Sequence, residues 1–398
     1  MIVTMKVRRN LPWFWISIFL SLLLTLPIGW GEAKGSDLVS NETLSSDFET
    51  NMQDQLKKLG VPGFAAAIVK NGELKWSSGY GMANFETGSM TTADTVFIWA
   101  SVSKLMTGTA AMHYFDATGG FELNANISRY LPYSVSIPDC PAGEVTMKQL
   151  LTHTSSIADN WAEITPYYNF NGVDSSIPLA NYTYGYLVPG GVYYDERNNF
   201  LKTCPGTKAA YSNIGVVTAG YVVESLSGIP LHQYAKEQIM EPLEMTTSSY
   251  MLADLNESLL AMPYNKKNQP YGHYTYPDYP DGQLRTSVNQ MAKFLNMFIK
   301  KGIYGNGNQR LLSEATVDLM RTRQVPDLDP TQGLAWYYHS FKDRLEVLGH
   351  NGGDYGSSSY MFFDPSDEAG VILVANGEWN WSAADKLMAY LFAVSQRF

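Results

Sequence analysis

Apolar positions along the chain alternate between helical and strand periods, and the alternation predicts the elements. Asp47 to Leu59 carries helical spacing, and Gly63 to Val69 and Glu73 to Tyr80 then read as two strands. Asn71-Gly72 lies between them and supplies the positive φ of a tight turn, which predicts an antiparallel hairpin. The far end repeats this grammar. Arg344 to Leu348, Ser357 to Phe363 and Gly370 to Ala375 read as strands, with Asp364-Pro365 at a turn and Asn376-Gly377 after the last. Ser382 to Gln396 then sets Ala384, Leu387, Leu391 and Val394 on one side of an amphipathic helix.

The stretch from about 101 to 325 reads as mainly helical. Asn213 to Ser227, Leu231 to Leu243 and Ser287 to Ile299 all have helical apolar spacing. The last opens with Ser287 and Gln290, a capping box that would satisfy two helix-end donors. Pro166 to Tyr194 is rich in Tyr, Asn and Gly without periodicity and reads as a long surface loop of the kind that shapes a cleft. The chain thus begins and ends in antiparallel strands that share one sheet, with a large helical insertion between them. The expected fold class is α+β, an antiparallel sheet flanked by helices. Residues 47–100 and 330–398 would form its sheet part, and 101–329 its mainly helical part.

Ahead of this domain, Lys6, Arg8 and Arg9 precede an apolar run from Leu11 to Ile28, followed by Gly31-Glu32-Ala33. That is the pattern of a secretory signal over residues 1–33, with 34–46 as a polar linker. The rival reading is an uncleaved membrane anchor. Either one predicts a catalytic part outside the cytoplasm: secreted, periplasmic, extracellular or tethered by the N-terminus. Export makes Cys140 and Cys204 candidates for a disulfide, whose long ring would contribute about 4 kcal/mol in the chain-entropy model. Two separate small hydrophobes are the alternative.

Charge narrows the function. The net charge is −10, and removing the three basic and one acidic residue of the leader makes it −12. A nucleic-acid partner calls for a basic stripe, so none is expected. Two cysteines and six dispersed histidines argue against structural zinc, and the nucleotide-binding glycine motifs are absent.

Candidate chemistry lies in three places. Ser101 and Lys104 are three residues apart where a strand-like stretch runs into a helix, so they share a face. A serine hydroxyl needs a nearby base, and burial could lower the lysine towards that role. A helix start also aims partial positive charge at an oxyanion formed there. Val102, Leu105, Met106 and Thr109 form the apolar stripe of this helix. Tyr211-Ser212-Asn213 lies at a second predicted helix start, where a phenol can shuttle a proton and an amide can hold a substrate carbonyl. Gly349-His350-Asn351-Gly352-Gly353 ends a predicted strand, with glycines that admit a substrate backbone or complete an oxyanion hole.

The order S-x-x-K, Y-x-N, H-x-G, with separations of about 110 and 139 residues, resembles the serine β-lactamase and penicillin-binding-protein superfamily. The likeness is to its class C-like branch, which includes D-stereospecific peptidases and carboxylesterases. Leu150-Leu151-Thr152-His153-Thr154-Ser155-Ser156, Pro205-Gly206 and Gly282-Gln283-Leu284 extend it over roughly residues 50 to 395. The resemblance implies Ser101 as acylated nucleophile, with Lys104 and Tyr211 sharing the proton work. It implies Asn213, His350, Asn351 and Gly352 at the substrate, and the N–H groups of Ser101 and Gly353 as the oxyanion hole. No metal or organic cofactor is implied, and the partner is a small-molecule or peptide substrate.

One departure bears on substrate. The β-lactamases proper usually carry Lys-Thr-Gly where this chain has His350-Asn351-Gly352. A mostly neutral imidazole attracts a substrate carboxylate less strongly, unless an arginine reaches in. The pattern occurs in esterases and D-aminopeptidases of the family. The expected activity is therefore that of an exported serine hydrolase acting on a peptide amide, an ester or a β-lactam. The alternatives are a slowly acylated penicillin-binding sensor or cell-wall binding protein, and an inactive structural protein. His153 reads as structural, and His113, His232, His273 and His339 have no partner pattern.

Overall fold

The computed structural model describes residues 46–307, 309–341 and 345–398; the leader, nearly all of the linker and Arg344 lie outside them. The central feature is a seven-stranded antiparallel sheet. Its strands in chain order are β1 (Gly63–Lys70), β2 (Glu73–Asn84), β3 (Ser89–Met90), β4 (Tyr337–Phe341), β5 (Leu345–Asp354), β6 (Ser357–Asp364) and β7 (Ala369–Ala375). Across the sheet the order is β3-β2-β1-β7-β6-β5-β4. The two ends of the chain therefore meet in mid-sheet, where Phe64 pairs with Ala375 and Lys70 with Ala369. Asn71 and Gly72 turn the β1–β2 hairpin with φ of 54° and 71°, as their sequence predicts.

Both faces of the sheet are covered, so its central strands read as continuous apolar runs rather than alternating ones. Phe64, Ala66 and Ile68 of β1 pack with α1 (Ser46–Leu59) and the C-terminal helix α6 (Trp381–Ser395). Ala65, Ala67 and Val69 face the larger core shared with the helical part. That part is built around α2 (Ser103–Thr118), α3 (Leu179–Leu187), α4 (Asn213–Ser227) and α5 (Val288–Ile299). The first ten residues of α2 are buried all round, not only along the expected stripe. Cys140 and Cys204 form a disulfide.

Several expectations need correction. The strand placed at 344–348 continues through the glycine cluster to Asp354. Gly349 and Gly352 permit this: a Cβ on Gly349 would strike the Met361 carbonyl, and one on Gly352 would lie 2.5 Å from the Trp99 carbonyl oxygen. β4 was not anticipated at all. The segment read as a loop between Pro166 and Tyr194 contains α3, whose buried face is Leu179, Tyr182 and Tyr186. Tyrosines carry its helical period, and a polar-looking tyrosine masks an apolar position. The capping box at Ser287 is only half formed. Ser287 Oγ accepts from the Gln290 N–H at 3.3 Å, but the Gln290 side chain accepts from Thr247 N–H and Ser248 Oγ. The helix begun at Leu231 passes into a π turn and ends at Met240, three residues early.

Candidate active site

Ser101 sits in a 3₁₀ turn, Ala100–Val102, that leads straight into α2. The turn is held open from outside. Ser357 Oγ donates to the Ile98 carbonyl at 2.6 Å, Ser359 Oγ to the Trp99 carbonyl at 2.7 Å, and the Trp99 indole N–H to the Thr286 carbonyl at 2.8 Å. The two serine ties anchor the carbonyls ahead of the turn to strand β6, and the Trp99 carbonyl also accepts the Val102 N–H at 3.2 Å. They fix Ala100 at φ 46°, a left-handed conformation that costs a non-glycine residue about 1 kcal/mol or more. The opening N–H groups of such a helix have no intrahelical acceptor and remain available to a ligand.

Lys104 is 1% exposed. Its Nζ donates to Ser101 Oγ at 3.0 Å and to the Asp281 backbone carbonyl at 2.7 Å, and it lies 5.1 Å from the centre of the Tyr211 ring. Burial alone would push this ammonium down. The Tyr211 hydroxyl, Asp281 and Asp159 more than offset it, and the net shift is upward. The acidic neighbours thus work against the lowering that burial by itself would bring, and they favour the charged form of Lys104.

Tyr211 stands just before α4 and is 49% exposed. The His153 ring packs against it at 4.4 Å, and the His350 ring lies 6.2 Å away. His153 also accepts the Ser212 N–H on Nδ1 at 3.2 Å, so it braces Tyr211 as well as the local backbone. Its structural reading is right but incomplete. Burial, then the Lys104 charge, hold His153 down at about 3, hence neutral. The Gly206 N–H donates to the Thr154 carbonyl at 2.7 Å and ties the approach to Tyr211 to the same segment, while the disulfide ties it to Cys140.

The sequence reading missed Asp159. Its carboxylate accepts from the Asn213 N–H at 3.0 Å, Asn213 Nδ2 at 2.8 Å and the Ile214 N–H at 3.1 Å. It thus shares the capping of α4 with Ser212, whose Oγ accepts from the Gly215 N–H at 2.8 Å. Asn213 borders the cavity in front of Ser101, but Asp159 fixes which way its amide points: one Nδ2 hydrogen goes to Asp159, and Oδ1 accepts from no described residue. The available signal was an acid closely following the L-L-T-H-T-S segment.

On β5, side chains alternate between the faces of the sheet. His350 and Gly352 share the face towards Ser101; a Cβ on Gly352 would lie 3.0 Å from the Ser101 nitrogen. His350 is 3% exposed, with Nδ1 2.5 Å from the Asn351 carbonyl oxygen. Burial, then Lys104, hold it down at about 3, so it brings no positive charge to the cleft. Asn351 is a correction. The pleat turns it to the opposite face, where its Oδ1 accepts from the Tyr337 hydroxyl at 2.8 Å, so it cannot contact a substrate in the cleft. Gly353 lines the cavity beside Ser101.

The cavity measures about 340 Å³ and is bordered by Ser101, Asn213, Gly353, Asp281, Asp354 and Glu378, together with aromatic rings. Arg285 does not reach it: its guanidinium is buried and donates to the carbonyls of Tyr274 and Gln283.

A family model described as Beta-lactamase matches residues 48–394. The D-alanyl-D-alanine-carboxypeptidase/endopeptidase AmpH of Escherichia coli is 24% identical over 325 residues, covering 79% of each chain. Penicillin-binding protein 4 of Amycolatopsis lactamdurans is 26% identical, covering 80% of this chain and 81% of that one. Among solved structures, a penicillin-binding protein from Bacillus halodurans superposes with a TM-score of 0.68 at 22% identity, covering 88% of this chain and all of the other. The D-alanine carboxypeptidase AmpC from Burkholderia cenocepacia gives 0.66 at 19% identity, covering 88% of this chain and 99% of the other.

Proposed function

The chain belongs to the beta-lactamase family, and on that premise we propose that it is an exported serine hydrolase that cleaves an amide or ester by acyl transfer through Ser101. The observation that carries this reading is the 3.0 Å hydrogen bond from the buried Lys104 ammonium to Ser101 Oγ, at the edge of an open cavity.

Ser101 Oγ attacks the scissile carbonyl carbon, and the carbonyl π pair moves onto oxygen. The N–H groups of Ser101 and Gly353 receive that oxyanion. The serine proton does not pass to Lys104, which already holds its own. It passes to the Tyr211 oxygen as that hydroxyl gives its own proton to the leaving group, while the ammonium stabilises the negative charge the transfer develops. Asn213 Oδ1 accepts from an N–H of the substrate. Water then attacks the acyl-enzyme along the same proton route and frees the acid.

The test has two arms. Wild-type protein incubated with a 4-nitrophenyl ester should release nitrophenol steadily and show a transient acyl adduct on Ser101 by mass spectrometry. Ser101→Ala should lose both with an unchanged circular-dichroism spectrum. Turnover that survives in Ser101→Ala overturns the assignment. An adduct that accumulates without release would identify a slowly acylated binding protein.

A further inference from the structure

Asp281 is placed unusually for a carboxylate. It is 8% exposed and borders the cavity next to Ser101, yet its carboxyl oxygens accept no hydrogen bond from any described residue. Its own backbone carbonyl takes a 2.7 Å hydrogen bond from the same Lys104 Nζ that binds Ser101 Oγ, which keeps it within one side-chain length of the nucleophile. Lys104 does not pair with the carboxylate itself; no ion pair joins them among the described residues. Its oxygens are not sealed in the core but lie at the open cavity, where an entering ligand can supply the partner that the described residues do not.

The rest of the wall has the same character. Asp354 accepts from the Tyr276 hydroxyl at 3.3 Å and from the Tyr355 N–H at 2.8 Å, and Glu378 accepts from the Tyr271 hydroxyl at 3.0 Å. The described residues bordering the cavity include these three carboxyls and no lysine or arginine. Trp161, Tyr168 and Tyr355 add ring faces, which also attract cations. With His350 neutral and Arg285 turned away, the cation at this wall is the Lys104 ammonium, and it is already engaged by Ser101 Oγ and the Asp281 carbonyl.

We infer that this cleft selects substrates bearing a free protonated amine within a few bonds of the scissile carbonyl, with Asp281 as the group that receives it. The inference rests on the serine-hydrolase reading above and specifies its substrate class. Burial raises Asp281 to about 7 and Asp354 to about 6 in the empty cleft; an arriving ammonium favours their charged forms, so binding and ionisation reinforce each other.

The test compares D-alanine 4-nitroanilide with its N-acetyl derivative at pH 7, and the L-enantiomers likewise. The free amine should have the higher kcat/KM, by tenfold or more in at least one enantiomer. Asp281→Asn should bring that ratio close to one, mainly through KM for the free amine, and Asp281→Glu should restore part of it. Equal or reversed preference in the wild-type protein overturns the inference, as does a ratio unmoved in Asp281→Asn. Intact-protein mass spectrometry separates the two readings. If Ser101 is acylated equally by both compounds, only the amine selectivity falls; if neither compound, nor a 4-nitrophenyl ester, acylates Ser101, the serine-hydrolase reading falls and takes the selectivity with it.

Discussion

An unpartnered carboxylate in a cleft should burden the fold, and Asp281→Asn measures by how much. Burial raises Asp281 from 3.8 to about 7; Lys104 pulls it down, while Asp159 and Asp354 push it further up. Below pH 3.8 the group is protonated in both the folded and unfolded chains and contributes nothing. Between 3.8 and about 7 the folded chain holds a proton that the unfolded chain has released. Stability therefore falls as pH rises through this window and stays low above it. At 1.36 kcal/mol per pKa unit the full loss is about 4 kcal/mol. Asparagine keeps the shape and does not titrate. It also relieves Asp278, a buried neighbour whose own carboxyl is raised first by burial and next by the Asp281 charge. Urea unfolding of both proteins at pH 4.5 and pH 8 should show the variant gaining on the wild type by about 3–4 kcal/mol between the two conditions. A difference in stability that is the same at both pH values, within about 1 kcal/mol, would refute the claim that this carboxylate is buried and unpaired. The expected combination of a more stable protein with weaker amine selectivity is the usual exchange at a functional site.

Three further outcomes follow from the geometry. Gly352→Ala puts a methyl 2.5 Å from the Trp99 carbonyl and 3.0 Å from the Ser101 nitrogen, so strand β5 and the nucleophile turn must part; acylation of Ser101 by a nitrophenyl ester should slow about 100-fold, and an unchanged rate would mean the two segments are not in contact. Asp159→Asn sets an NH₂ group against N–H donors from Asn213 and Ile214; it should cost about 1–3 kcal/mol of stability in urea and slow acylation by misplacing Asn213, whereas wild-type values for both would remove Asp159 from the account. Replacing Cys140 and Cys204 together by alanine opens a ring of sequence separation 64; the urea midpoint should fall by the equivalent of about 4 kcal/mol in the chain-entropy model, and a loss under about 1 kcal/mol would contradict that model here.

Local features were legible in the residues because short-range physics decides them. Asn71-Gly72 turns a hairpin since those residues tolerate positive φ, and α6 forms where Ala384, Leu387, Leu391 and Val394 repeat at helical spacing. The order of the three motifs was enough to indicate the family and hence the fold. Elements whose apolar positions are tyrosines or glycines escaped: α3 hides its period in Tyr182 and Tyr186, and β5 runs on through glycines that look like a turn.

What the chain determined unaided is therefore those elements whose apolar period is plain, the identity of Ser101 and Lys104 as neighbours on one turn, and the sheet that joins its two ends. Tertiary structure alone decided the electrostatics around them. Asp281 meets Lys104 across 177 residues, and Asp159 meets Asn213 across 54. Those approaches favour the charged form of the lysine, aim the Asn213 amide and leave the cleft acidic. A side chain's charge and direction depend on which groups share its burial, and groups so far apart in sequence become neighbours only when the core closes.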